Sequence, residues 1–523
     1  MRKILEIKVL PREAVDESHI RQLAIRQSKF PPKQVTDVAI LKRSIDARGS
    51  TPVFRLQVEV FANEMPMPEP AILSNLKHVG NAKNVIIIGA GPAGYFAALE
   101  LIELGLKPII FDRGKDVRSR RRDLRAIQQF GEVNPHSNYC FGEGGAGTYS
   151  DGKLYTRSHK RGNIYKALKL LVEHGASTDI LIDAHPHIGS NKLPKIVANI
   201  RETILLHGGE VHFDSLLTDF IMNGDQVIGV IINDKEEYLA ESTILATGHS
   251  ARDIYLLLEK RDIKIEAKPF ALGVRVEHSQ PLIDKIQYGQ SKRDENLPAS
   301  SYKLVCQVEK RGVFSFCMCP GGLVVPAATA PGEIVVNGMS MSRRDSPFAN
   351  SGTVVQVEME DIPAEFMKHG NLSTLAFQRR VEEKVFAAGD GSQKAPSQRM
   401  TDFVKGKISG SLPATSYIPG VYSAPVHELL PGFIYERLRR GMLTFGKKMR
   451  GYFTEDTNVI ATESRTSSPV RIPRDKETYM HVSTSGLFPC GEGAGYAGGI
   501  ISAAMDGQNV ARGVGKYYGI ENP

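Results

Sequence analysis

Apolar residues recur along the first sixty positions at every second residue, then at helical spacing, then at every second residue again. Ile4 to Leu10 alternates as a strand, and Glu17 to about Gln27 places its apolar residues on one helical face. Strands follow near Val38 to Lys42 and at Val53 to Ala62, the last with Phe54, Leu56, Val58 and Val60 on one side. This βαββ order predicts a small N-terminal α+β module of ferredoxin-like type, residues 1–70. The stretch MPMPEP, Met65 to Pro70, ends it, because prolines so close together continue neither helix nor sheet.

The pattern then changes. Asn84 to Gly89 is a continuous β-branched run of the kind buried on both faces of a parallel sheet. From Pro92 to about Leu104, Ala, Leu and Phe recur at helical spacing, Gly105 stops the helix, and Lys107 to Asp112 supplies a second strand, completing a βαβ unit. Glu210 to Ile232 reads as two alternating runs joined by the turn Asn223-Gly224-Asp225, a hairpin, and Ser242 to Ala246 as a further buried strand. Strand-like segments dominate from Pro269 to Met341, whereas Leu372 to Ala388 and Leu429 to Tyr452 carry helical spacing.

A length of 523 residues implies two or three domains. The formal charge of +8 is small for that length, so only a mild attraction to anions follows. The basic run Arg118 to Arg125 reads as a solvated helix face in preference to a phosphate or nucleic-acid contact. The five cysteines, Cys140, Cys306, Cys317, Cys319 and Cys490, form neither an even set nor a CxxC pair, which argues against a disulfide framework and against a metal site. A reducing, cytoplasmic setting is expected. The N-terminus lacks the apolar core of a signal peptide, and no apolar stretch reaches membrane-spanning length, so no membrane partner is expected.

The strongest chemical signal is Gly89-Ala90-Gly91-Pro92-Ala93-Gly94, set between predicted strand and helix. In that setting Gly89 permits a tight turn, Gly91 lets backbone approach a pyrophosphate, and Gly94 lets helix pack on strand, while Pro92 and Ala93 open a helix whose free N–H groups face the anion. Asp112 lies 23 residues beyond Gly89, at the end of the second strand, where it would accept hydrogen bonds from ribose hydroxyls. Asp112-Arg113-Gly114 and Ala246-Thr247-Gly248 both resemble the glutathione-reductase-type FAD fold. So does Gly486 to Ala511, in which Gly491-Glu492 stands where that superfamily more often has Gly-Asp contacting the ribityl chain. Gly498-Gly499-Ile500 then opens a predicted helix aimed at the flavin carbonyl edge. A second glycine-rich stretch, Phe141 to Lys153, has no regular period, and Gly144, Gly145, Ala146, Gly147 and Thr148 are expected to lie against the pyrophosphate and isoalloxazine.

The expected fold class is therefore α/β. A Rossmann-type FAD-binding domain (80–268 and 476–523) is interrupted by an inserted α+β substrate or cap domain (269–475) and preceded by the small N-terminal module. FAD is the expected cofactor.

GEGGAGTYSDGKL (Gly142 to Leu154), ATGHSARD (Ala246 to Asp253), GVRVEH (Gly273 to His278), FCMCPGG (Phe316 to Gly322), ESRTSSPVRIPRD (Glu463 to Asp475) and the C-terminal GEGAGYAGGI carry a resemblance. Together with LKRSIDAR (Leu41 to Arg48), they resemble bacterial FAD-dependent dehydrogenases related to the aminoacetone-oxidase-like and geranylgeranyl-reductase-like flavoproteins. The resemblance implies FAD and oxidoreductase chemistry on a small-molecule substrate, and brings no substrate identity.

Catalytic residues stay unassigned. Cys317 and Cys319 share one face of a predicted strand, yet flavin disulfide reductases usually carry CxxxxC or CxxC, so buried structural thiols are expected. Arg465, Arg471 and Arg474 are open between an anion site and interdomain ion pairs, and His278, a lone histidine in a strand, is expected to be structural. With one dinucleotide fingerprint, any NAD(P)H would visit as a transient reductant. An RNA-interacting flavoprotein and a flavin-bearing scaffold without turnover are the alternatives. The N-terminal module shows no aromatic-rich RNA-binding strand motifs, which counts against nucleic acid.

Overall fold

The computed structural model describes residues 1–156 and 162–520. At the N-terminus, strands Arg2–Val9, Val53–Ala62 and Val35–Asp46 form an antiparallel sheet in that order. The helix Glu17–Ser28 packs on it, started by Asp16, whose carboxylate accepts the His19 N–H at 3.0 Å. Ile7, Leu56, Val58, Val60 and Ala24 make its core, and Tyr288 and Leu297 from the rest of the chain close it. Arg43 ties the module down through Asp183 at 2.7 Å and Asp179 at 3.0 Å.

The central sheet is parallel and five-stranded, in the order Leu487–Pro489, Thr243–Leu245, Asn84–Ile88, Lys107–Phe111, Glu210–His212. Val85, Ile86 and Ile87 are fully buried, as a strand covered on both faces requires. The helix Pro92–Leu104 packs on one face, and the C-terminal helix Ile500–Tyr517 packs against it. Their approach is close: a methyl on Gly507 would sit 2.1 Å from the Ala93 carbonyl oxygen, so only glycine fits there. This contact returns the end of the chain to the first turn of the fold.

The expected hairpin is corrected in part. Leu217–Asn223 does pair with Gln226–Ile232, and Glu236–Leu239 adds a third strand, but Glu210–His212 joins the parallel sheet instead. Asp214, at φ 52°, breaks the run between the two segments. The alternation of side chains carries on through that break, so periodicity alone joined what the backbone separates.

Between Phe270 and Glu463 the chain builds a second, seven-stranded sheet. Its order is Val305–Val308, Arg311–Cys319, Phe348–Val357, Phe270–Ser279, Asn458–Glu463, Ala395–Arg399, Val421–Ser423. Helices Ser373–Ala387 and Gly432–Lys448 lie where helical spacing placed them, and contribute Phe377, Val381, Leu438, Met442 and Phe445 to the core of this sheet. The stretch read as strand-dominated also holds a helix, Gln280–Tyr288, with Pro281 in its first turn and Gly289 as its left-handed cap. Among the described residues no helix is long and apolar enough to cross a membrane.

Candidate functional site

The site begins where the strand Asn84–Ile88 turns into its helix. A methyl on Gly89 (φ 108°) would lie 2.4 Å from the Ala246 carbonyl oxygen, and one on Gly94 would lie 1.9 Å from the Gly89 oxygen. These two positions are glycine because the protein packs there. Gly91 differs: the nearest atom to a methyl on it is the Gly145 Cα at 3.9 Å, so it faces open space. Next to it, the first-turn N–H groups of a helix have no intrahelical acceptors, and they point outward from its N-terminus. Asp112 closes the turn, its two oxygens accepting the N–H groups of Ala90 and Gly114 at 2.8 Å each. Each oxygen keeps lone-pair capacity for a further donor.

Arg120 fixes the glycine-rich loop above this turn. It belongs to the run expected to be a solvated face, and Arg118, Arg121, Arg122 and Arg125 are exposed, but Arg120 is fully buried. Its guanidinium donates to the carbonyls of Asn138 (2.8 Å), Tyr139 (2.9 Å) and Glu143 (2.8 Å). The buried Glu143 carboxylate accepts from Tyr95 Oη, the Val117 N–H and Arg201, all at 2.8 Å, which ties the loop to three helices, Pro92–Leu104, Val117–Phe130 and Leu193–Leu206. Burial pushes the Glu143 carboxyl above its ordinary range, and these donors offset only part of that.

The C-terminal segment supplies the other end. Arg474 grips Asp506 of the last helix with two hydrogen bonds, at 2.6 and 2.9 Å, and Asp506 in turn accepts the Gly491 N–H at 2.7 Å. This anchors the turn that carries Glu492, whose carboxylate meets His249 Nδ1 at 2.9 Å. Burial alone would raise the Glu492 carboxyl, but the hydrogen bond and charge of His249 outweigh it and hold the group below its usual range. Gly498 and Gly499 then lead into the helix Ile500–Tyr517, and methyls on either would meet no atom within 4 Å.

All three pieces line one cavity of about 360 Å³. Of the residues expected to bind cofactor, Gly89, Gly91, Pro92, Ala93, Asp112 and Arg113 line it from the first βαβ unit. Gly145, Ala146 and Gly147 line it from the loop, Thr247 and Gly248 from the strand end, and Glu492, Gly498, Gly499 and Ile500 from the C-terminus. Gly94, Gly144, Thr148 and Gly491 lie behind the wall. Gly144 turns inward, where a methyl would strike Thr148 Oγ1, and Thr148 donates to the Glu143 carbonyl at 3.2 Å. Gly91, Gly248, Gly498 and Gly499 leave bare backbone facing space that no protein atom fills, which is the fit a large planar dinucleotide requires.

Several lining residues carried no sequence assignment: Lys153, Tyr155, His249 and Phe316. Lys153 ends the glycine-rich stretch and Tyr155 follows it by two residues; Lys153, His249 and Phe316 lie within resemblance motifs, and Tyr155 lies just beyond one. Arg465 also lines the cavity, yet its charge is spent on Glu333 (2.7 Å) and Glu382 (3.0 Å), a cluster completed by Arg252. Arg465 and Arg474 are thus ion-paired between segments, and Arg471 is exposed. His278 is buried, its Nε2 facing the Tyr452 carbonyl at 2.8 Å, in keeping with a structural role. Cys319 is fully buried as expected, whereas Cys317 is half-buried and faces the cavity.

A parallel sheet with a glycine turn at one strand end, joined at the same cavity by a C-terminal glycine-led helix, defines a protein that binds a dinucleotide cofactor. Residues 269–466 match the family described as FAD-dependent protein, C-terminal domain-like, and residues 1–61 match a domain of unknown function. An uncharacterised protein of Clostridium beijerinckii is 40% identical over 498 residues, covering 92% of each chain. The chain belongs to this family of FAD-dependent proteins, and FAD is its cofactor. Solved structures also align with it. A geranylgeranyl bacteriochlorophyll reductase-like protein from Thermoplasma acidophilum is 12% identical with a TM-score of 0.35, over 85% of this chain and 81% of the other. The glycerol-3-phosphate dehydrogenase from Bacillus halodurans, complexed with FAD, is 10% identical with a TM-score of 0.36, over 85% and 67%. Both likenesses are too distant to bear on this chain's activity.

Proposed function

We propose that this chain is an FAD-dependent oxidoreductase that moves a hydride between flavin N5 and a small-molecule substrate. The observation that carries the reading is the convergence of the Gly89–Gly94 turn and the N-terminus of the helix Ile500–Tyr517 on one cavity, to which the seven-stranded sheet adds Phe316 and Cys317. When bound, FAD supplies a two-electron centre that accepts or gives hydride at N5. The free N–H groups after Gly91 favour the diphosphate, and Asp112 has lone pairs left for ribose hydroxyls while repelling a phosphorylated ribose. Glu492, held ionised by His249, is an acceptor for ribityl hydroxyls. The helix N-terminus at Gly499–Ile500, with its partial positive charge, would stabilise negative charge on a flavin held beside it. The block 269–475 is the substrate domain in this reading, and NAD(P)H is a transient visitor.

The test is an anaerobic titration of the holoprotein with NADH, NADPH and a metabolite panel, following the flavin band near about 450 nm. Bleaching by one of them, faster than by dithionite alone, supports turnover. Bleaching by dithionite and by no metabolite or nicotinamide would replace this reading with that of a flavin-bearing scaffold.

A further inference from the structure

The seven-stranded sheet presents Phe316 and Cys317 to the cavity. The strand Arg311–Cys319 pairs regularly with Phe348–Val357 as far as Phe316, opposite Gly352, and resumes at Cys319, opposite Asn350. Three residues on one side thus answer two on the other, a β-bulge. Its extra length is taken up at Cys317, whose φ of 43° is a left-handed conformation that non-glycine residues seldom adopt. Such backbone is held in place by its surroundings and concentrates at sites of chemistry.

The bulge changes what the two thiols can do. In a regular strand, residues two apart stand about 6.6 Å apart at Cα, near the outer limit for a disulfide. The left-handed kink takes the pair out of that regular geometry and divides it, with Cys317 at the cavity and Cys319 fully buried. The Cys319 thiol turns back toward its neighbour and donates to the Cys317 carbonyl at 3.2 Å. Cys319 Sγ also lies 3.4 Å from Arg275 Nη2, and the same Nη2 donates to the Cys317 carbonyl at 2.8 Å. Lys153, from the loop after the glycine-rich stretch, donates to the carbonyl of Met318 between them. The adjacent Cys319 thiol, then Lys153 and Arg275, pull the Cys317 thiol below its ordinary range against the effect of burial, while Cys319 is pushed up. A cavity-facing thiolate backed by a buried protonated thiol is the division of labour between an attacking and a resolving cysteine.

We propose that Cys317 and Cys319 are a redox-active dithiol that exchanges two electrons with the bound FAD, making disulfides of small thiols a substrate class of this cavity. The proposal rests on the oxidoreductase reading above. In the reducing direction, the Cys317–Cys319 disulfide takes two electrons and one proton from reduced FAD. Its S–S bond breaks, leaving a Cys317 thiolate and a Cys319 thiol, and FAD is left oxidised. The Cys317 thiolate attacks an external disulfide, forming a mixed disulfide and expelling one external thiolate. Cys319 then loses its proton and attacks the Cys317 sulfur, which restores the internal S–S bond and releases the second external thiol.

The experiment is a reductive titration of the air-oxidised holoenzyme with dithionite under argon, paired with non-reducing peptide mapping. Wild type is expected to take up about four electrons per FAD, and Cys317→Ser and Cys319→Ser about two. The oxidised peptide spanning Arg311–Cys319 is expected to be about 2 Da lighter than its reduced form. The wild-type electron count and mass decide the matter even where a variant folds poorly. An uptake of about two electrons by wild type, with both thiols free after oxidation, overturns the dithiol while leaving the oxidoreductase reading intact if a metabolite or nicotinamide still bleaches the flavin. A chain that holds no FAD overturns both.

Discussion

Replacing Gly91 by alanine separates cofactor contact from folding, because this glycine alone within the Gly89–Gly94 turn has a hydrogen that faces empty space. Its backbone, at φ −80° and ψ −175°, is extended and suits any residue, and a methyl there comes no closer than 3.9 Å to the protein. Alanine is a poorer N-cap than glycine by up to about 1 kcal/mol, and the smaller entropy of the unfolded chain returns about 0.4–1 kcal/mol. The two effects nearly cancel, so the melting temperature of the apoprotein is expected to stay within about 2 °C of wild type. For FAD the same methyl stands between the backbone N–H groups and the diphosphate. Losing one hydrogen bond to a charged group costs about 1.5–3 kcal/mol, which corresponds to about 10- to 150-fold weaker binding. Apoprotein prepared by removing FAD would be melted by circular dichroism and titrated with FAD by fluorescence quenching. A folded Gly91→Ala protein with wild-type affinity refutes the cradle, and one that fails to fold refutes the claim that this space is vacant of protein.

Gly94→Ala should behave in the opposite way: its methyl meets the Gly89 oxygen at 1.9 Å, so a loss of about 3 kcal/mol or more is expected in urea unfolding, with affinity falling only as a consequence. Arg474→Met leaves Asp506 without its partner beside the Gly491 turn, and the expected destabilisation is about 3–5 kcal/mol; a change below about 1 kcal/mol would remove the anchoring role. His278 gives a pH signature. Burial pushes its imidazole down to about 4 from 6.5, so between those values the unfolded chain binds more protons than the folded one. The stability this neutral histidine contributes is complete above about pH 6.5 and is lost as pH falls toward 4, about 3 kcal/mol in all. His278→Gln should flatten that part of the urea-midpoint profile between pH 4.5 and 7, and an unchanged slope would contradict the assignment.

Local pattern carried the cofactor half of the fold. The run Val85–Ile88, the glycines after it and the helix Pro92–Leu104 are contiguous, so residue type and spacing were enough to place them. The C-terminal helix was equally plain, because Gly498 and Gly499 precede a regular apolar repeat. The seven-stranded sheet was legible only in fragments: Asn458–Glu463 pairs with Phe270–Ser279 across roughly 190 residues of sequence, and nothing local announces that partnership. The same holds for Arg120, whose role depends on carbonyls that only the folded loop brings together. Cys317 was misjudged for a related reason. Spacing of two on a strand placed both thiols on one face, and the bulge that separates them comes from register against Gly352 and Asn350, which the thiol spacing does not record.

A crystal structure of the FAD-bound chain tests the central claim most directly. The account predicts the diphosphate at the N–H groups following Gly91, the ribose at Asp112, and the flavin ring beside Gly498, Gly499 and Ile500. Density for the flavin elsewhere, or a diphosphate that leaves the Gly91 backbone untouched, would contradict it.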